Sequence, residues 1–172
     1  HYPLRRQRQM CIRDSTRIIL FMGTRPLYEK SEDVQRERSV IDFVSSAWNC
    51  NYFKLPNKYF MDFALIHREQ GTSSYVIKCF TEVKTRNKEN KLFPDFMISS
   101  NKIYKCRNAS KDFSVPVYII VHTPDGVFYF NCSDKESKIA MCGRFDRNDP
   151  MDKESMHFFS WSNIHKLGER LF

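Results

Sequence analysis

Tyr75-Val76-Ile77-Lys78-Cys79-Phe80-Thr81-Glu82-Val83-Lys84 is an apolar stretch interrupted by a carboxylate and, two residues later, an amine. It reads as a strand, as does Tyr59-Phe60-Met61-Asp62-Phe63-Ala64-Leu65-Ile66, with turn residues around Gln70-Gly71-Thr72-Ser73 between them. Paired as a hairpin, the two strands make Asp62 and Glu82 neighbours. Side chains alternate along a strand, so Lys84 shares a face with Glu82. Two close carboxylates repel each other and raise their pKa values unless a cation neutralises them, and hard oxygen ligands suit Mg2+. The plainer alternative is a solvated Glu82–Lys84 ion pair on a strand face, worth about 0–1 kcal/mol.

Outward from the hairpin, the spacing of Val40, Ile41, Phe43, Val44, Ala47 and Trp48 predicts a helix over 32–48, with Ser31 as N-cap and Glu32-Asp33 at the positive end of the dipole. Glu37 lies nearly two turns before Val44 and so points toward the same face. It either reaches water or an arginine at 36 or 38, or offers a third carboxylate to the Asp62–Glu82 site. Phe96, Met97, Ser100, Ile103 and Tyr104 predict a second helix over 95–107, started by Pro94-Asp95. Residues 115–121 form the most continuous β-branched run and the expected central strand. A turn at Pro124-Asp125-Gly126 leads to a strand over 127–130. Residues 133–156 look polar and irregular, a last strand is expected over 156–160, and a short helix from Trp161.

The chain has 172 residues and a formal charge of +8. The segment Arg5-Arg6-Gln7-Arg8-Gln9-Met10-Cys11-Ile12-Arg13-Asp14-Ser15 resembles a translated sequencing-library adapter, so residues 1–21 are expected to be an artefact without ordered structure, Met22 being the true start. The competing reading is a basic nucleic-acid arm or targeting peptide. Five arginines and one aspartate in residues 1–21 account for +4 of the +8, and the remaining +4 is compatible with a nucleic-acid partner. Residues 22–172 suffice for a single domain, with 15 phenylalanines, eight tyrosines and two tryptophans as core material. No apolar run approaches the roughly 18 residues of a membrane span, so a soluble protein with no membrane partner is expected.

Six cysteines at 11, 50, 79, 106, 132 and 142 show neither Cys-x-x-Cys spacing nor matching histidines, which argues against zinc and redox motifs and for reduced thiols in a cytoplasmic protein. Cys79 is read as a packed thiol. Histidines 67, 122, 157 and 165 accompany no nucleophile, and Glu69 and Asp125 sit in predicted turns.

The order helix, three strands, helix, two strands, with Asp62 on the second strand and Glu82-Val83-Lys84 on the third, resembles the PD-(D/E)xK nuclease superfamily, in particular its small phage-encoded members. The similarity covers residues 33–130 and includes Thr85-Arg86-Asn87 and Phe93-Pro94-Asp95-Phe96-Met97-Ile98-Ser99. Met61 departs from the superfamily's proline, which is often absent. The resemblance implies an α/β restriction-endonuclease-like core, a central mixed sheet flanked by helices. It also implies a metal-dependent endonuclease acting on DNA, duplex or branched. Asp62, Glu82 and the Val83 carbonyl would hold Mg2+, with Mn2+ as a substitute, Lys84 would be the catalytic lysine, and Glu37 the acidic residue of the first helix. Arg86, Ser99, Lys102 and Lys105 would contact nucleic acid. A homodimer is compatible with the resemblance, and a non-cleaving nucleic-acid-binding module of the same fold is the alternative.

Overall fold

A computed structural model of the chain describes residues 31–56, 59–71, 73–133, 136–143, 153–169 and 171. The expectations for residues 1–21, and for residues 144–152 of the stretch expected to be polar and irregular, lie outside the described residues. The first helix, α1 (Ser31–Ala47), carries Glu32 and Asp33 in its first turn and buries Val40, Ile41 and Val44. It is stopped by Asn49 in the left-handed region (φ 48°), and the Asn49 and Cys50 N–H groups close back on the Ser46 and Ser45 carbonyls.

Strands β1 (Asn51–Lys54), β2 (Phe63–Arg68) and β3 (Tyr75–Thr85) form an antiparallel meander, with Phe63 opposite Thr81. The expected hairpin is present, although regular β2 starts only at Phe63: Tyr59 N–H closes on the Pro56 carbonyl, and the chain regains the ladder at Asp62. Strand β4 (Asp95–Ser99) and helix α2 (Ser100–Phe113) then cross over to β5 (Val117–Thr123), which pairs parallel to β3. Strand β6 (Gly126–Asn131) returns beside β5, and β9 (His165–Gly168) closes a six-stranded mixed sheet of order β1-β2-β3-β5-β6-β9. Strands β7 (Lys138–Gly143) and β8 (Lys153–Ser160) join β4 in a second sheet of order β4-β8-β7.

Both faces of β5 are covered, which is why its sequence is continuously apolar rather than alternating. Ile120 joins Val83, Phe63, Leu65 and the apolar stripe of α1, whereas Ile119 and Val121 join Phe80, Phe130 and the α2 residues Ile103, Cys106 and Ala109. The mixed α/β core expected from the sequence is therefore present, its first strand being β1. Among the described residues, no helix is long and apolar enough to cross a membrane.

Three expectations need correction. Residues 95–99 are strand, not the start of a helix: Phe96 and Ile98 point inward and Met97 outward, a period of two, and β8 supplies the backbone partners. Helix α2 instead runs from Ser100 to Phe113 and ends at Ser114 in the left-handed region (φ 52°). Residues 138–143 and 153–155 are strand: β7 is an edge strand of the second sheet, and residues 153–155 of the central β8 pair with β7 alone, so the side chains described there stay exposed or half-buried and show no buried apolar face. The expected helix at Trp161 is one 3-10 turn (Trp161–Asn163), after which β9 pairs with β6. With only four residues, β9 has too little pattern to announce itself.

His157 on β8 is 1% exposed, its Nδ1 lies 2.5 Å from Ser137 Oγ, and its ring meets Tyr104 edge-on. Burial, assisted by the charge of Arg107, lowers its pKa from the ordinary value of 6.5. The folded ring is thus held neutral, while the unfolded chain takes the proton more readily. Its contribution to stability is complete above about pH 6.5 and is lost as the pH falls below that. Thermal melts of wild type and His157→Gln between about pH 7.5 and 5.5 should show a steeper acid-side decline in the wild type.

Candidate active site

Asp62 stands immediately before β2, and its backbone continues the ladder on both sides. Its N–H donates to the Thr81 carbonyl at 2.9 Å and its carbonyl accepts from Leu55 N–H at 2.9 Å. This fixes the half-buried side chain, whose Oδ2 accepts the Val83 N–H at 2.8 Å. A strand residue directs its N–H and C=O to the same edge, so the Val83 carbonyl faces Asp62 as well. The neighbouring residues face the other way, since Phe80 N–H and Arg86 N–H bond to β5-side carbonyls.

Glu82, only 1% exposed, projects from β3 toward α2. Its Oε1 is held by two ammonium groups, Lys84 Nζ at 2.6 Å and Lys102 Nζ at 2.8 Å. Lys102 is anchored further by donating to the Phe60 carbonyl at 2.9 Å. Among the described residues Oε2 of Glu82 is buried with no hydrogen-bond partner, an arrangement that ordinarily costs about 1–3 kcal/mol or more for a charged group. Burial pushes the Glu82 carboxyl up, Lys84 and Lys102 pull it back, and Asp62 adds to the rise, so the two carboxylates feel each other. Burial alone would lower the Lys84 ammonium, but the charge and hydrogen bond of Glu82, with Asp62, leave it above its ordinary value. The nearby Cys106 thiol is pushed up to about 12 by burial and then by Glu82, and Cys79 also to about 12 by burial, as packed thiols should be.

This arrangement has the donors a hard divalent cation needs: the Asp62 carboxylate, the orphaned Glu82 Oε2 and the Val83 carbonyl. Among the described residues no three of His, Cys, Asp and Glu gather into a metal cluster. Two carboxylates fit Mg2+, which retains waters and takes further ligands from phosphate, better than they fit an all-protein cage.

A family model described as "Phage putative PDDEXK endonuclease" matches residues 23–167. The chain belongs to that family. No curated protein matches it. Among solved structures, the PDDEXK chain is similar to Hjc, a Holliday junction resolvase of the archaeal hyperthermophile Archaeoglobus fulgidus. The identity is 14% and the TM-score 0.47, over 80% of this chain and 90% of the other. It is also similar to a nuclease from a fusselovirus, with 15% identity and a TM-score of 0.44 over 78% and 83% of the two chains.

In this PDDEXK chain Asp62, Glu82 and Lys84 are brought together as the spacing predicted, and Met61 in the proline position is a buried core residue. Lys102 is found elsewhere than expected: it is tied to Glu82 and the Phe60 carbonyl, at the floor of the site. Glu37 pairs with Lys54 of β1 at 3.0 Å and borders a pocket of about 210 Å3 with Val83, Lys84 and Thr85. It stands beside the site without forming a three-carboxylate cluster. Arg86 is exposed on the same face as Lys84, its Nη2 donating to the Met97 carbonyl at 3.0 Å. Ser99 Oγ donates to Glu154 at 2.7 Å, and Lys105 is exposed on α2. The sequence missed Lys102 as a partner of Glu82, because that contact depends on how α2 packs over β3.

Proposed function

We propose that the chain is a Mg2+-dependent endonuclease that hydrolyses phosphodiester bonds of DNA, duplex or branched, inside the phage's host cell. The observation that carries this reading is the buried Glu82 carboxylate with one oxygen held by two lysines and the other unsatisfied, beside an Asp62 locked to Val83. Asp62, Glu82 Oε2 and the Val83 carbonyl hold Mg2+, or Mn2+ in its place. Such an ion lowers the pKa of a water and offsets phosphate charge. Lys84 keeps one face of Glu82 and directs its remaining N–H donors toward the attacking water or the phosphoryl oxygens, where negative charge grows. Lys102 fixes the Glu82 rotamer from below. Arg86 and Lys105 contact flanking phosphates, which position the strand without reading its sequence. Ser99 supplies a lesser contact, and Glu37 orders solvent at the rim. A module that only binds nucleic acid has no use for a carboxylate pair that repels phosphate.

The test is cleavage of supercoiled plasmid and of a four-way junction by the full chain, with Mg2+, with Mn2+ and with chelator. Cutting is expected with either metal and none with chelator. Binding without cutting in all conditions would leave the non-cleaving module. Thermal melting gives a second readout. Mg2+ at a hundred times its Kd should add about 2.7 kcal/mol. At roughly 2–4 °C per kcal/mol, this raises Tm by roughly 5–10 °C.

A further inference from the structure

Beyond the end of β3 the chain forms a second pocket, of about 380 Å3, between the segment following Arg86 and the second sheet. Its walls include Phe93, Phe96, Phe158 and Trp161, and Arg86 and Lys88 stand at it. The Arg86 guanidinium lies 5.3 Å from the centre of the Phe96 ring, and Lys88 Nζ lies 5.7 Å from that of Phe93. The loop is fixed, since Asp125 Oδ2 accepts the Asn90 N–H at 2.6 Å. Phe93 is nevertheless 48% exposed, an aromatic surface that the fold itself leaves uncovered.

Two properties define what fits. The volume falls in the range of about 300–1,000 Å3 that accepts small organic groups. The lining sets two cations, Arg86 and Lys88, beside aromatic rings of which Phe93 is the exposed one, and the carboxylates of Asp95 and of Glu89, itself paired with Lys91, also stand in the wall. An exposed ring with a cation beside it is the combination that holds a base by stacking while its phosphate is neutralised. The position adds a third constraint. Arg86 directly follows β3, two residues beyond Lys84, with its N–H still bonded to the His122 carbonyl of β5, so the pocket begins about two residues along the chain from the proposed cutting site. An apolar protein segment would make no use of cations seated on the rings.

We propose that this pocket receives one unpaired nucleobase of the bound strand, next to the phosphate that is cut. The proposal rests on the nuclease reading above, and it gives the site a preference for DNA with an unstacked base, as at a bulge or branch.

The experiment compares two duplexes, one carrying a single bulged 2-aminopurine and one an abasic residue at the same place, binding the full chain in the presence of chelator. The aminopurine duplex should bind about tenfold more tightly, the low end of base–aromatic stacking, with its fluorescence quenched on binding. In Phe93→Ala and in Lys88→Ala, each checked for an unchanged melt, the affinity ratio should fall toward one. A wild-type ratio near one overturns the proposal. So does a ratio that survives both substitutions, which would place the base elsewhere, or a Phe93→Ala chain changed only in its sedimentation, which would make the pocket a contact between copies. Plasmid cleavage with Mg2+ separates the two readings. Cutting with a ratio near one sinks the pocket alone, whereas a tenfold ratio without cutting sinks the nuclease and leaves the base pocket standing.

Discussion

Replacing Glu82 with alanine is expected to lower Mg2+-dependent cleavage by at least about a thousandfold, roughly 4 kcal/mol of barrier at 1.36 kcal/mol per decade. The carboxylate supplies a buried oxygen, Oε2, that nothing else in the described structure satisfies, so on the proposed reading its loss would remove a cation ligand and with it the charge stabilisation a cation would provide. The rise of Tm with Mg2+ should disappear with it. A merely misfolded variant is distinguished by its melt without metal. Breaking a fully buried ion pair costs about 3–5 kcal/mol, but Lys84 and Lys102 keep 31% and 27% side-chain exposure and can turn their ammoniums to water. The apo variant should therefore melt cooperatively, with a loss below that range. Glu82→Gln keeps the volume and an oxygen but not the charge. Cleavage near the wild-type level in Glu82→Gln would sink the assignment of Glu82 as a metal ligand.

The part of this site that could be read in the sequence is the part governed by local rules. Alternation put Glu82 and Lys84 on one face, and a turn of fitting length brought Asp62 alongside, so the grouping of these three residues follows from the hairpin alone. What failed depended on distant partners. Residues 95–99 satisfy a helical spacing through Phe96, Met97, Ser100 and Ile103, and only the pairing of Phe96 and Ile98 with β8, some sixty positions away, decides for strand. Glu37 was weighed against arginines on its own helix, and the pair it makes with Lys54 went unread because β1 is a strand too short and too exposed to stand out. Lys102 was taken for a phosphate contact from the family resemblance, the alternative being a solvated surface lysine. Its real position follows from the packing of Ile103 and Cys106 against Phe80, which turns the preceding residue toward Glu82.

Lys84→Ala should cost about a hundred- to a thousandfold in cleavage rate, the range found when one preorganised donor is removed from a developing negative charge. Its signature differs from that of Glu82→Ala. Lys84 Nζ holds Glu82 Oε1, not the Oε2 that would hold a cation on the proposed reading, and Lys102 remains on Oε1 at 2.8 Å. The carboxylate therefore stays in place when Lys84 is lost, and removing a neighbouring positive charge favours a second cation. The Mg2+ concentration that half-saturates the thermal shift should be unchanged or lower, while the rate at saturating metal falls. Lys84→Arg would restore charge, but its planar fork cannot place a compact donor at the same point beside Glu82, so only a minor part of the rate should return. If Lys84→Ala weakened Mg2+ binding and left the saturated rate intact, Lys84 would be a positioning residue for Glu82, and the donor to the phosphoryl group would have to be sought at Arg86.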